Sequence, residues 1–205
     1  MKKFLFIQMI FGLSLFIMGG CSLQTTVPAA SKYNLSADHV VKVTKNSRFS
    51  DQVIRMGVIE SSALLSGSNI YYTSDNGQSY SYTKARWNEG IDKQLGNLMM
   101  RSITQTEIFK DVIPLRSLAQ GELILEMNIY DFSQQIHEDG STTLHLSVKL
   151  RVVDQYTRKI IATKLFDMEQ KEKEGNVEGA VKGYNKLVSQ LLLETNSWLE
   201  ECCVK

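Results

Sequence analysis

The alternation of apolar and polar residues between 121 and 154 restricts the fold of this chain more than any other feature. Every second residue is apolar in two runs that flank a turn at 138–141. Because successive side chains of a strand point to opposite faces, the pattern predicts two long antiparallel strands with one buried face. A third strand, predicted at 159–167, completes a meander. The alternating apolar positions are Leu123, Leu125, Met127, Ile129, Leu144, Leu146, Val148, Leu150 and Val152.

Two further segments carry apolar residues at helical spacing. The first is predicted to run from Asn88, a candidate N-cap, to Gln105, and the second from about 176 to 200. The apolar stripe of the second helix is unbroken, so it needs a partner, and the apolar face of the sheet is the natural one. We therefore expect an α+β domain. Its architecture would be a two-layer sandwich, a mainly antiparallel sheet with two long helices packed on one face.

A tyrosine-rich segment at 68–83 is predicted to form a separate hairpin. It contains Asp75-Asn76-Gly77, and Asn-Gly favours a type I′ turn because both residues tolerate positive φ. Tyrosines offer a large contact area at small entropy cost, which makes these candidates for contact with a partner, a lipid or a second copy of the chain. The alternative is cross-strand pairing on a half-buried sheet. The candidate contact residues are Tyr71, Tyr72, Tyr80, Tyr82 and Trp87, the last of which is also expected to fill the core under the first helix.

The first two dozen residues have the pattern of an exported lipoprotein precursor. Two lysines precede an apolar run from Phe4 to Met18, and two glycines stand directly before Cys21. About fifteen helical residues span roughly 22 Å, short of the roughly 30 Å hydrocarbon core, so a signal peptide is favoured over a membrane-spanning helix. We expect cleavage before Cys21 and attachment of a lipid anchor to its thiol. The alternative is an ordinary secretory signal or an uncleaved anchor.

The residues after Cys21 indicate where the protein is held. Ser22, in place of an Asp, resembles the signal that sorts lipoproteins to the periplasmic face of the outer membrane of a Gram-negative cell. The segment that follows is small and polar and contains Pro28, as is typical of a flexible tether. The predicted organisation is a signal peptide at 1–20, a lipidated tether at 21–32, a single domain at 33–201 and a tail at 202–205.

Charge and motifs argue against several classes of function. The net charge is +1 and becomes nearly neutral without the signal peptide, so neither a nucleic-acid partner nor a polybasic membrane-binding patch is indicated. His39, His137 and His145 lack the spacing of a zinc pair, and the chain has no phosphate-binding glycine loop or nucleophile motif. We predict no catalytic, cofactor-binding or metal-binding residues, and a binding or assembly role.

Taken in order, these elements resemble a known family, the auxiliary lipoproteins of ABC-type transport systems, including the paraquat-inducible type. The resemblance begins at Cys21, passes through Tyr33-x-Leu35 and the strand at 54–59, and includes the hairpin that ends in Arg86-Trp87. It continues with Ile108-Phe109-Lys110-Asp111-Val112 after the first helix and with the order of hairpin, third strand and final helix. Nearly all of the expected mature chain is covered.

The resemblance implies a non-catalytic accessory subunit without a cofactor. Such a subunit sits beneath the outer membrane and docks an Mce-domain periplasmic protein. An inner-membrane permease and an ATPase complete that system, which moves lipids between the inner and outer membranes. The alternative is a structural envelope-assembly lipoprotein that supports an outer-membrane β-barrel or a trans-envelope complex.

Overall fold

The computed structural model describes residues 29–37 and 47–203, apart from the side chain of Cys203. Within these ranges the chain forms one sheet and two helices, which confirms the α+β class. The strands are β1 (Ser31–Tyr33), β2 (Val53–Glu60), β3 (Asn69–Ser74), β4 (Ser79–Trp87), β5 (Asp111–Ile113), β6 (Leu123–Ile136), β7 (Thr142–Asp154) and β8 (Ile160–Glu172). The helices are α1 (Ile91–Thr104) and α2 (Val177–Cys203).

The long antiparallel hairpin is confirmed as β6 and β7. The two strands pair from Leu123 opposite Asp154 to Ile136 opposite Thr142, with one irregularity between Ile129 and Asp131. β8 then pairs along nearly the whole of β7, so the meander is also confirmed. The alternating apolar side chains of β6 and β7 are buried on one face, as a period of two requires.

The sheet is mixed, and this corrects the expectation of a mainly antiparallel one. The pairs β3–β4, β6–β7 and β7–β8 are antiparallel, whereas β1–β4, β2–β5, β2–β6 and β3–β6 are parallel. Both edges of β6 are paired. One edge pairs with β7, and the other pairs with β2 along its first part and with β3 at its end. Alternation predicts a strand and its buried face, but it says nothing about the direction of the neighbouring strand.

Helix α2 covers the meander, as its apolar stripe predicts. Asn176 caps the start, since its side-chain oxygen accepts a hydrogen bond from the Gly179 N–H at 2.8 Å. Leu187, Leu191 and the other stripe residues are buried against β7 and β8. The helix continues beyond the predicted end at 200 and includes Cys202, which the sequence analysis places in the tail. At the other end of the domain, β1 begins at Ser31, inside the predicted tether.

Helix α1 forms, but Asn88 is not its N-cap. The Asn88 N–H donates to the Tyr33 carbonyl at 2.8 Å, so this residue continues the pairing of β1 and β4. The helix starts instead at Gly90, where a side chain would have its Cβ 2.5 Å from the Ser66 carbonyl oxygen. The loop before β3 therefore packs too closely on this position for any residue with a Cβ.

The two helices contact each other beside the sheet. The Asn196 amide on α2 donates to the Ser102 hydroxyl on α1 at 2.8 Å. α1 also contacts β2 and β5, whereas α2 contacts β7 and β8. The buried apolar residues beneath the two helices form a continuous core.

Candidate functional site

The tyrosine-rich hairpin forms as predicted from β3 and β4. The turn is not the predicted type I′, because Gly77 has a positive φ of 78° whereas Asn76 does not, and a type I′ turn needs positive φ at both residues. The Gly77 N–H donates to the Ser74 carbonyl at 2.8 Å, and the Ser74 N–H donates to the Gln78 carbonyl at 3.0 Å. Tyr72 lies directly opposite Tyr80 in the register. The turn thus places the tyrosines as cross-strand neighbours.

Three of the tyrosines stack on one face of the hairpin. The Tyr72 ring lies 5.4 Å from that of Tyr80 and 4.8 Å from that of Tyr82, measured between centroids. The Tyr82 hydroxyl donates to the Gln134 side-chain oxygen at 3.2 Å, and burial raises the pKa of Tyr82. Tyr82 therefore ties the stack to β6 as a neutral donor. Tyr80, at the other end of the stack, is 43% exposed.

Tyr71 belongs to the opposite face of the hairpin, because it alternates with Tyr72 along β3. Its hydroxyl accepts a hydrogen bond from the Asn69 amide at 2.9 Å, and its side chain is half-buried. The structure therefore brings three of the candidate tyrosines together and separates the fourth from them.

Trp87 is a core residue and not a surface contact, which corrects one of the candidate assignments. Its side chain is 3% exposed, and its ring packs edge-on against Phe132 at 6.2 Å and Tyr184 at 6.1 Å. Phe132 and Tyr184 stack at 3.9 Å, and burial is the main cause that raises the pKa of Tyr184 well above its ordinary value. The other expectation, that Trp87 fills the core, is confirmed, but its ring packs on β6 and α2.

A cleft opens between β3 and β6, and we call it the β3–β6 cleft. Its volume is about 230 Å³. The three packed aromatic side chains Trp87, Phe132 and Tyr184 line it from the core side, and the connection between β2 and β3 contributes Leu64 to its rim. Tyr130, which is 59% exposed, lines it from β6. The cleft thus leads from the surface to the aromatic core beneath the hairpin.

Asp75, His137 and Thr143 are linked by hydrogen bonds in the sequence carboxylate, imidazole and hydroxyl, which is also the arrangement of a catalytic triad. Their exposure and contacts show a structural role instead. The Asp75 carboxylate accepts from His137 Nδ1 at 2.8 Å, Gln135 Nε2 at 3.0 Å and the Glu138 N–H at 3.0 Å. His137 Nε2 lies 2.8 Å from the Thr143 hydroxyl. A nucleophile must reach its substrate, whereas Thr143 is only 6% exposed. The cluster therefore joins the β3–β4 turn to the β6–β7 turn, and the hydrogen bond from His137 is the main cause that lowers the pKa of Asp75.

Across residues 29–37 and 47–203, no three His, Cys, Asp or Glu side chains come together in a way that could hold a metal ion. No helix in these ranges is both long enough and apolar enough to cross a membrane. Cys21 and Ser22, the predicted lipidation and sorting residues, lie outside the described residues.

The alternating and helical residue patterns do not predict the β3–β6 cleft. Its lining includes Leu64, Tyr130 and Gln134, and none of these was a candidate. The sequence of β6 does contain one indication. The buried apolar residues occupy odd-numbered positions up to Ile129 and even-numbered positions from Phe132 onward. Such a change of phase is the sign of a β-bulge, and bulges often lie next to functional sites.

The described residues thus form a small α+β domain with an exposed tyrosine on its hairpin and a cleft beside it. The family described as the ABC-type transport auxiliary lipoprotein component matches residues 33–194. This range covers most of the chain, and the chain belongs to that family. No curated protein matches it.

Two solved structures show the same fold at low sequence identity. The crystal structure of protein XCC0632 from Xanthomonas campestris aligns with a TM-score of 0.72 at 10% identity, over 84% of this chain and 96% of that one. A second crystal structure, of an uncharacterised protein, aligns with a TM-score of 0.62 at 15% identity, over 83% of this chain and 99% of that one. These likenesses concern the fold alone.

Proposed function

We propose that this protein is a lipid-anchored, non-catalytic accessory subunit of an Mce-type ABC transport system. It acts at the periplasmic face of the outer membrane, in a system that moves lipids between the inner and outer membranes. The observation that carries the proposal is the family match over residues 33–194. The precursor pattern that ends at Cys21 agrees with it, since the family is one of lipoproteins.

In this proposal the anchor is a lipid on Cys21, and Ser22 directs the protein to the outer membrane. Acyl chains stabilise membrane association by about 0.8 kcal/mol per buried methylene, so two or more chains hold a protein stably. The tether that follows keeps the folded domain close to the membrane surface. The domain itself is then free to present its contact surface to the periplasm.

The proposed contact surface for the Mce-domain protein, or for a second copy of the chain, is the outer end of the tyrosine stack. Tyr80 is exposed there, and Tyr72 and Tyr82 support it through ring contacts. Aromatic side chains that are already fixed in place lose little entropy on binding, which is why they often dominate interfaces. Trp87 contributes from inside, because it supports the strand that carries Tyr80 and Tyr82.

Co-purification tests the transport role. The full-length tagged protein would be recovered from gently cross-linked membranes, and its partners identified by mass spectrometry. We expect an Mce-domain protein together with its permease or ATPase. A Tyr80→Ala variant should recover less of it, whereas Tyr156→Ala, which changes an exposed tyrosine in the β7–β8 turn, should recover as much as the natural protein.

The same experiment separates the proposal from the envelope-assembly alternative. Recovery of an outer-membrane β-barrel or a cell-wall complex, with no Mce-domain protein, would replace the transport role by an assembly role. The lipid anchor is tested separately, by fractionating membranes from a Cys21→Ala variant with Cys202→Ala as the matched control. Only the Cys21 change should remove the protein from the outer membrane, and unchanged fractionation would contradict lipidation at this residue.

A further inference from the structure

The edge of β6 that faces β2 and β3 has a gap in its middle. β2 pairs with this edge as far as Asn128, and β3 joins it only from Gln135 onward. Within the described ranges, residues 129–134 have a strand partner on the β7 side alone. Residues 69–72 of β3 belong to the β3–β4 pair and have no partner on β6. Two strand edges therefore face each other across the β3–β6 cleft without pairing.

The direction of the backbone groups on this edge follows from one hydrogen bond. The Gln134 carbonyl accepts from the Thr73 hydroxyl at 3.1 Å, so the Gln134 backbone faces β3. Because backbone groups in a strand point to alternate sides, the N–H and C=O of Phe132 face the same way. These groups therefore point into the gap, where the sheet supplies no partner strand.

Backbone groups in such a place favour one kind of ligand. An N–H or C=O that is shielded from water and unpaired is costly, and an open strand edge is a template for another strand. The free stretch of six residues, 129–134, corresponds to roughly 20 Å of extended chain at about 3.3 Å per residue. A short extended peptide would fill it and satisfy these groups, whereas a hydrocarbon chain would leave them unpaired.

The side chains that line the cleft also favour a peptide ligand. Leu64, Ile70 and Tyr130 supply apolar and aromatic surface, and Asp131 is the one charged side chain among the lining residues of the described chain. With no lysine or arginine in the lining, the cleft is not suited to a phosphate or a carboxylate. It suits uncharged side chains.

A buried side chain in the lining also lacks a partner. Gln134 is fully buried, and its oxygen accepts from Tyr82, but its amide nitrogen has no hydrogen-bond partner within the described part of the chain. Buried amide donors are nearly always satisfied in folded proteins, so an exception beside a cleft points to a ligand acceptor. The carbonyl oxygen of a bound peptide is such an acceptor.

We propose that the β3–β6 cleft binds an extended, uncharged and largely apolar peptide segment of a partner protein. The segment adds to the free edge of β6 as a short strand between β2 and β3. Alternate side chains of the segment face the aromatic residues Trp87, Phe132 and Tyr184. The inference does not depend on the transport role, because it follows from the strand edges and the cleft alone.

A phage-displayed library of short random peptides, selected on the full-length protein in lipid nanodiscs, tests the proposal. Enriched peptides would be synthesised, and their affinities measured for the natural protein and for variants. Leu64→Asp and Tyr130→Asp place a charge in the cleft at exposed positions and should weaken binding by about tenfold or more. The matched controls Leu165→Asp and Tyr156→Asp, whose residues are 54% and 68% exposed elsewhere, should bind unchanged.

Two further measurements distinguish strand addition from adhesion to an apolar surface. Hydrogen exchange should slow at the amides of Phe132 and Gln134, which face the gap, when a peptide binds, and not at the amides of Asp131 and Ser133, which face β7. Methylating the peptide amides that face β6 should abolish binding, because it removes the donors to β6 and places a methyl group against the strand edge.

Several results would overturn the proposal. It fails if no peptide is enriched, if both cleft variants bind as well as the natural protein, or if methylating the peptide amides that face β6 leaves binding unchanged. It also fails if the fluorescent fatty acid cis-parinaric acid binds the natural protein, loses binding in Tyr130→Asp, and no peptide is enriched. The cleft would then be an acyl-chain site.

Discussion

Two regions of the molecule are built in different ways. The scaffold, made of β6, β7, β8 and α2, is paired along almost its whole length and buries a continuous set of apolar side chains beneath one helix. Within the described residues, the arm, made of β1, β3 and β4, has two strand pairs with β6, Thr73 with Gln135 and Ser74 with Ile136. It is also linked to the scaffold by the packing of Trp87, by the contacts of Asp75, by the hydrogen bonds of Thr73 and Tyr82 to Gln134 and by that of Tyr33 to Glu178.

The arm is expected to open more readily than the scaffold. Regions with few ladder hydrogen bonds and partly exposed side chains open at lower free energy than a continuous core does. The arm also carries the exposed tyrosine stack and borders the cleft, so one proposed contact lies on the arm and the other lies between the arm and β6. In the proposed function, the scaffold supports an arm that contacts the partner.

The largest expected effect comes from the scaffold. Replacing both Leu187 and Leu191 by Asp should unfold the domain. Loss of one buried leucine side chain costs about 2 to 5 kcal/mol, and the whole domain is stable by only about 5 to 15 kcal/mol. The circular dichroism of the double variant should show loss of fold, whereas Leu193→Asp, on the exposed side of the same helix, should fold normally. A folded double variant would show that α2 does not hold the scaffold together.

The next effect concerns the junction of arm and scaffold. Trp87→Ala should lower the free energy of unfolding by about 3 to 5 kcal/mol, because it leaves a cavity against Phe132 and Tyr184. Urea titration measures the loss, and Trp87→Phe, which keeps an aromatic ring, should lose less. Equal losses for the two variants would mean that the aromatic packing is not what attaches the arm.

A smaller effect is expected from acid. The folded-state pKa of Asp75 lies below its ordinary value of 3.8, so the stability that it contributes is present above that value and is lost as the pH falls through the folded pKa. The protection of amides in β3 and β4, measured relative to their intrinsic exchange rate at each pH, should fall below about pH 4 in the natural protein, and Asp75→Asn should remove this dependence. Asp167→Asn, on the exposed face of β8, is the control and should keep it. An unchanged acid profile in Asp75→Asn would show that the cluster does not hold the arm.

The smallest effect on folding is expected from Tyr80→Ala. Because the side chain is partly exposed but stacks on Tyr72, the free energy of unfolding should fall by about 0.5 to 1.5 kcal/mol. Thermal unfolding measures it beside Tyr156→Ala, an exposed tyrosine of the scaffold. A loss above 2 kcal/mol would indicate that the stack is structural and not a contact surface.

The sequence predicted the scaffold far better than the arm. Alternation from Leu123 to Val152 and the stripe of α2 each depend on one residue pattern, and packing agrees with both. The parallel pairs of β2 and β3 with β6 depend on which elements meet in space, which no local pattern contains. Asn88 is a good N-cap residue in isolation, but the pairing of β1 with β4 uses its N–H and moves the helix start to Gly90.

The same limit applies to the candidate site. The Asn-Gly turn predicts the hairpin and thereby the neighbouring tyrosines, and this part was correct. Whether Trp87 faces inward depends on Phe132 and Tyr184, which lie far away in the sequence. The cleft likewise exists because β3 pairs with β6 at Gln135 and Ile136 and is separated from the residues of β6 that precede them.

The central claim, that the arm is where this lipoprotein meets an Mce-domain partner, is tested most directly by photo-crosslinking in cells. Benzoylphenylalanine would replace Tyr80 on the arm in one strain and Tyr156 on the scaffold in another, and cross-linked proteins would be identified by mass spectrometry. We predict an Mce-domain protein cross-linked from position 80 and none from position 156. Equal cross-linking from both positions, or cross-links from position 80 only to a β-barrel or cell-wall protein, would contradict the account.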